Sequence, residues 1–283
     1  MHAANRVLIL PIEDLTKSER ADIHMANEYH WRAEPGKIAG RPLMDCSNAQ
    51  PGFTPLNTET TKQLGIARYQ PVVLPTLREV VTEWEDYRRE KEIEWTDMWM
   101  FKADISNCFN QLHWHPTTAK LMGFMLTATL LMVMLTCGFV VAVTPMVWAV
   151  IGDALNRKIN RIAPSRTFTY VDDFFGAGTH KDTSRTQQIV HDTINDVLGP
   201  EGLSIKKNVH AQKTEILGIL IDFTTASMRP KDTAIEKLFY VLFSTDVTKR
   251  QPLAYWQCLA SLTNLYSHVL HGMRPFVAPI IRS

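Results

Sequence analysis

From Met98 to Ile105 the chain alternates. Trp99, Phe101, Ala103 and Ile105 fall on one side of an extended segment, and Met100, Lys102 and Asp104 on the other. A period of two is that of a strand, and this one ends on a carboxylate. Phe168-Thr-Tyr-Val-Asp-Asp-Phe-Phe175 is a β-prone aromatic run interrupted at its middle by two acids. It predicts a strand–turn–strand hairpin with the acidic pair at the tip. Helical spacing appears between these runs. Thr76 and Glu79 have the capping-box separation, and Leu77, Val80, Val81, Trp84 and Tyr87 follow as an apolar stripe. Val147 to Arg161 predicts a helix, and another starts at Thr183 or Ser184 and stops at Gly199-Pro200. Two more close the chain. The first, 232–243, has Ile235, Leu238, Phe239, Leu242 and Phe243 inside. The second, 252–270, opens on Pro252 and carries Trp256, Leu259, Ala260, Thr263, Tyr266 and Val269 as its core stripe. Glu215 to Asp222 reads as one apolar strand in which Gly218 marks a bulge or a close backbone approach. Strand, helix, strand pair and helix in that order predict an α+β fold, with an antiparallel sheet and helices on one face.

Other stretches are less regular. Residues 1–30 have weak periodicity and no motif. Residues 31–58, rich in Gly and Pro, predict a hairpin or extended loop presenting Arg32, Lys37 and Arg41. From Leu121 to Gly152 there is no charged residue. Length alone allows a membrane span there. Gly123, Gly138 and Pro145 punctuate the run, however, and two buried strands, a glycine turn and a core helix fit it equally well.

Composition narrows the field a little. The 283 residues are 45% hydrophobic, enough for a full core. Thirty basic residues against 29 acidic ones leave a net charge of +1, so any nucleic-acid footprint must be local. Cys46, Cys108, Cys137 and Cys258 form no CxxC pair and read as reduced thiols of an intracellular protein. The N-terminus has no signal-peptide pattern, since its apolar run is too short.

The chemistry sits with the acids. Two carboxylates flanked by buried aromatics are costly unless a positive charge compensates them, and a divalent metal is the usual one. An ordinary acidic turn is the alternative. Asp104 supplies another carboxylate at a strand end. Arg157, Lys158 and Arg161 complement the dipole at a helix C-terminus, although they would also suit a phosphate-facing patch.

Together these residues resemble reverse transcriptases, most of all those of LTR and DIRS-type retrotransposons. Lys102-Ala-Asp-Ile-Ser-Asn-Cys-Phe109 resembles the first palm motif of that family, and Tyr170-Val-Asp-Asp173 its catalytic hairpin. Gly202-Leu-Ser-Ile-Lys-Lys207 and Glu215-Ile-Leu-Gly-Ile-Leu-Ile-Asp222 are similar to the lysine loop and primer-gripping hairpin. Gly36 to Asp45 resembles the fingers segment that holds the incoming triphosphate, and Leu259 to Phe276 the end of the thumb. The likeness runs over about residues 31–280, with its motifs in the family's order.

The resemblance implies a right-hand polymerase. Residues 1–98 would form an N-terminal segment and fingers, 99–230 the palm with a fingers insertion at about 113–145, and 231–283 a partial thumb. It implies RNA-directed DNA synthesis from an RNA template, a nucleic-acid primer and deoxynucleoside triphosphates, with no membrane. Nucleotidyl transfer of this kind uses two divalent ions about 4 Å apart, here Mg2+ with Mn2+ as an alternative. Asp104 and Asp172 would bridge both ions, with Asp173 as outer member and the Ile105 carbonyl as an extra ligand. Lys37 and Arg41 would neutralise the triphosphate. Phe109 would exclude a 2′-hydroxyl, and Lys206 or Lys207 would protonate or hold the leaving pyrophosphate. Cys137 and Gly138 would lie beside the nascent base pair, and Tyr170, Leu217 and Gly218 along primer and template. The chain departs from the family where Thr136-Cys137-Gly138 replaces a Pro-Gln-Gly or Pro-Phe-Gly turn, and Pro145 arrives about two residues late. A catalytically silent nucleic-acid-binding or scaffold protein on the same fold is therefore the alternative expectation.

Overall fold

The computed structural model describes residues 6–23, 27–32, 41–49, 54–59, 62–69, 71–138, 141–244, 249–267 and 269. In chain order, β1 (Val7–Pro11), α1 (Lys17–Asp22), β2 (Asn27–Arg32), β3 (Arg41–Ala49), α2 (Leu56–Glu59), α3 (Lys62–Tyr69) and α4 (Leu77–Glu90) lead to β4 (Met98–Asp104). Then come α5 (Pro116–Ala119), β5 (Gly123–Met125), β6 (Leu130–Met134), α6 (Thr144–Asn160), β7 (Thr167–Tyr170), β8 (Asp173–Thr179) and α7 (His180–Leu198). The last part holds β9 (Val209–Ala211), β10 (Lys213–Ile216), β11 (Ile219–Asp222), β12 (Ser227–Pro230), α8 (Asp232–Phe243) and α9 (Leu253–Ser267). The chain divides into two units. One comprises 1–73, 105–155 and 194–202, and the other 74–104, 156–193 and 203–283.

The first unit is built on a five-stranded sheet in the order β1-β6-β5-β2-β3, antiparallel except between β2 and β5. The uncharged block resolves into the two buried strands β5 and β6. Met132 and Met134 of β6 pack with Val7, Cys46 and Phe124 on one face. Leu131 and Val133 pack with Ala119 and, behind it, Ile12 and Leu15 on the other. A strand covered on both faces has no polar positions to alternate, which explains the long apolar run. Among the described residues no helix is long and apolar enough to cross a membrane. The strands turn at Thr127, whose Oγ1 accepts from the amides of Thr129 and Leu130. The N-terminal segment, which lacks a motif in the sequence, contributes β1, paired with β6 from Val7↔Met134 to Pro11↔Leu130. It also contributes a capping box between Thr16 and Glu19 at the start of α1.

The second unit holds a four-stranded antiparallel sheet in the order β7-β8-β4-β9. Met98 and Met100 of β4 and Phe175 and Ala177 of β8 share one face, as their register requires. That face packs against Leu77, Val80 and Trp84 of α4 and against Ile216, Ile219 and Ile221 of a three-stranded sheet, β10-β11-β12. On the opposite face Trp99 stacks on His210 at 5.2 Å and meets His180 of α7 edge-on at 4.5 Å. Gln187 of α7 donates to the Val209 carbonyl. The capping box of α4 forms as the sequence predicts.

Four sequence-based expectations are corrected. Helix α7 starts at His180, not at Thr183 or Ser184, because the Thr179 hydroxyl accepts from the Asp182 amide and caps it. The helix predicted from Val147 begins at Thr144, with Pro145 in its first turn. The segment around Gly218 is not one interrupted strand. β10 and β11 form a hairpin with Ile216 opposite Ile219, and Leu217-Gly218 is its two-residue loop. On α8, Leu238 packs with Leu259 and Tyr266 of α9, but Phe239 and Phe243 are 52% and 81% exposed and stack on each other. One neighbouring helix covers a narrower stripe than the five apolar positions of α8 span.

Candidate active site

The acidic residues meet at one end of the β7-β8-β4-β9 sheet. Asp104 is the last residue of β4 and Asp173 the first of β8. Each is the other's cross-strand partner, so both side chains stand on one face. Tyr170 lies opposite Asp173 on β7. Val171 and Asp172 are left as a two-residue hairpin loop. Val171 has φ of 55°, while Asp172 has no positive φ, which is the pattern of a type II′ turn. That first position suits glycine, and a β-branched residue there is strained.

Charge is then balanced by lysines. Asp104 is only 6% exposed, and Lys207 Nζ lies 2.9 Å from each of its carboxylate oxygens. Lys207 ends a short 3-10 helix, Ile205–Lys207. The segment is pinned by the Ser204 amide donating to the Asp104 carbonyl at 2.9 Å and by a 3.0 Å hydrogen bond between Asn208 Nδ2 and His191 Nε2. Burial holds the His191 imidazole below its usual pKa. Lys102, two residues before Asp104 on the same strand face, lies 2.8 Å from Asp173 Oδ2. Asp173 Oδ1 is buried without a hydrogen-bond partner. Burial pushes the Asp172 carboxyl above the ordinary aspartate range, and the charges of Asp173 and Asp104 push it further. The Lys207 ammonium is shifted up, first by its hydrogen bond to Asp104.

Three carboxylates against two ammonium groups leave one net negative charge. Among the described residues no three His, Cys, Asp or Glu side chains form a ready metal cage, and Asp104 and Asp173 are each held on a lysine. The donor chemistry nonetheless fits a hard divalent cation. All three groups are carboxylates, and one buried oxygen is unpartnered. The ionised form of Asp172, disfavoured by burial and by Asp173 and Asp104, is offset in charge only by Lys207, which is already held on Asp104.

Among the other sequence-predicted residues, Leu217 and Gly218 belong to this same unit. Ile105, Phe109, Cys137 and Gly138 belong to the other. Ile105 directly follows Asp104, with a buried side chain. Phe109 is 2% exposed, its ring edge-on to Trp148 at 6.4 Å. Cys137 is buried, and its thiol is pushed up to about 12 by that burial. Its amide donates to the Leu112 carbonyl, and its carbonyl accepts from Asn110 Nδ2 at 2.8 Å. Gly138 is buried beside it. Arg41 begins β3 opposite Arg32, and Lys37 lies outside the described residues. Sequence reasoning assigned no role to Lys102, His191 or Asn208. The strand alternation could have found Lys102, because it puts this residue on the Asp104 face. His191 and Asn208 meet only through the fold.

No protein-family model matches this chain, and no curated protein matches its sequence. Solved structures do. The apo telomerase from Candida tropicalis superposes with a TM-score of 0.57 at 10% identity, over 98% of this chain and 62% of that one. The foamy viral protease-reverse transcriptase in complex with double-stranded DNA gives 0.55 at 14%, over 96% and 41%. The telomerase from Candida albicans in complex with a fragment of telomeric RNA gives 0.52 at 12%, over 99% and 58%. At such identities the likeness establishes architecture. The chain has the α+β right-hand polymerase fold of reverse transcriptases and telomerases, and it spans less than two thirds of the length of each of these proteins.

Proposed function

We propose that the chain is an RNA-directed DNA polymerase of LTR or DIRS-type retroelement descent, acting inside the cell. The observation that carries this reading is the gathering of Asp104, Asp172 and Asp173 at adjoining strand ends, on a fold shared with template-directed polymerases. Structures of the foamy viral enzyme contain double-stranded DNA or an RNA/DNA hybrid. For this chain the corresponding partners are an RNA template, a nucleic-acid primer and deoxynucleoside triphosphates.

In the reaction, the primer 3′-oxygen attacks the α-phosphorus, and the bond to the β,γ-pyrophosphate breaks. Asp104 and Asp172, with the Ile105 carbonyl and Asp173 in support, would hold two Mg2+ ions, or Mn2+, that stabilise charge on the attacking and leaving oxygens. Lys207 stands beside Asp104 to hold or protonate the departing pyrophosphate. Lys37 and Arg41 neutralise the triphosphate. Phe109 walls the sugar, with Trp148 behind its ring. Cys137 and Gly138 flank the nascent pair, and Tyr170, Leu217 and Gly218 guide primer and template.

Two observations favour a second reading, a silent nucleic-acid-binding protein on the same fold. Two carboxylates already carry lysine counter-charges, and Cys137 stands where the resembled family has a turn residue that contacts the base pair. Primer extension on an RNA template with Mg2+ and deoxynucleotides separates the two. Elongation by the wild type and its loss in Asp172→Ala support the polymerase. Equal absence of elongation in both supports the silent protein.

A further inference from the structure

The two lysines among the carboxylates are held differently. Lys102 is rooted in β4, its side chain 26% exposed, and reaches Asp173 across the sheet. Lys207 stands on a single 3-10 turn, its side chain 64% exposed, yet its ammonium engages both oxygens of an almost buried Asp104. A buried carboxylate left without a counter-charge is strongly destabilising. The folded chain therefore needs a cation at Asp104 whether or not a metal is present. An ammonium on a flexible, exposed stem is readily exchanged, whereas a half-buried one anchored in the middle of a sheet is not.

We infer that Lys207 is the resident counter-ion of Asp104, which a divalent cation must displace, while Lys102 remains on Asp173; this rests on reading Asp104 as a metal ligand. The cation and the ammonium compete for the same two oxygens. With both lysines in place the cluster carries one net negative charge. When Lys207 withdraws it carries two, which one divalent cation neutralises. The protein alone thus supports a single ion, and a second requires charge from a triphosphate. The released ammonium stays tethered beside the site, where its next acceptor is a phosphate oxygen. Lys207 thereby passes from holding the empty site together to holding the substrate.

Mn2+ binding to the full chain without nucleotide, followed by electron paramagnetic resonance or calorimetry, tests the exchange. Lys207→Met should bind Mn2+ about 5–150-fold more tightly than the wild type, the usual range for two coupled binding events. Its metal-free thermal midpoint should fall, and Mn2+ should raise that midpoint by more than it raises the wild type's. Lys206→Met removes the same charge from the same loop without touching Asp104, and should change affinity less than about twofold under screening salt. An unchanged affinity in Lys207→Met, with Asp104→Asn still weakening Mn2+, overturns the counter-ion exchange but leaves Asp104 as a ligand. An equal gain in Lys206→Met overturns it too, since general charge would then be the cause. Absence of Mn2+ binding in every variant overturns both the exchange and the metal-site reading.

Discussion

Two hairpins of the same size in the second unit have solved the same geometric problem with different turns. In β10–β11 the loop residues Leu217 and Gly218 have φ of 52° and 77°. Both being positive makes a type I′ turn, whose twist matches its strands and whose second position suits glycine. Leu217 packs on the core formed with α4. In β7–β8 only Val171 is positive, at a position that glycine fills without cost. The next residue is Asp172, whose ionised form is disfavoured by burial and by Asp173 and Asp104. Both loops hold a non-glycine residue at positive φ, Leu217 and Val171, but only the second combines it with a β-branched side chain and an adjoining cluster of carboxylates. A strained β-branched residue and an excess of carboxylates collect where the proposed chemistry is, and the surrounding sheet holds them in place.

The comparison can be broken at its sharpest point with Asp172→Asn. Primer extension should fall at least about a thousandfold, roughly 4 kcal/mol of transition-state stabilisation. The same substitution should raise the thermal midpoint at pH 7 by about 1–3 °C. The sign follows from the upward shift of Asp172. Its contribution to stability is fully present below the unfolded-state pKa and is lost as pH rises through the higher folded-state value. The midpoint difference between Asp172→Asn and the wild type should therefore open from acid to neutral pH. A difference that is constant with pH would remove Asp172 from the charge cluster.

At the β10–β11 hairpin, Gly218→Val should cost about 2 kcal/mol in urea denaturation, because a β-branched residue must then take the positive φ. Val171→Gly should act in the opposite direction and more weakly. Relief of strain, on the order of 1–3 kcal/mol, is partly offset by about 0.5–1 kcal/mol of glycine entropy. A net gain of about 1 kcal/mol is expected, with slower primer extension because the loop that carries Asp172 is freer. If Val171→Gly and Gly218→Val both destabilise by similar amounts, the strain assigned to Val171 is not there.

Much of this was legible along the chain. The alternation from Met98 to Ile105 located β4 and the face of Asp104, and the aromatic run with two acids located its partner hairpin. The Thr76–Glu79 spacing located α4. The same spacing at Thr16–Glu19 was equally visible, but it lay in a segment without periodicity. Gly218 was visible as a break that periodicity alone read as a bulge, since one glycine in an apolar run marks a bulge or a hairpin loop with the same letters. The resemblance to a primer-gripping hairpin, by contrast, implied the hairpin that β10 and β11 form. The outward faces of Phe239 and Phe243 were not legible, because helical spacing says which residues share a side and not how much of it a neighbour covers.

The sequence by itself determined where strands end on carboxylates, because alternation and turn chemistry act over a few neighbouring residues. Only the tertiary structure decided that Lys207 grips Asp104 from 103 positions away, that Lys102 takes Asp173, and that β1 completes the sheet beside β6. Counter-charges and sheet edges are satisfied by whatever the fold brings within about 3 Å, and distance in space is not written in the order of the residues.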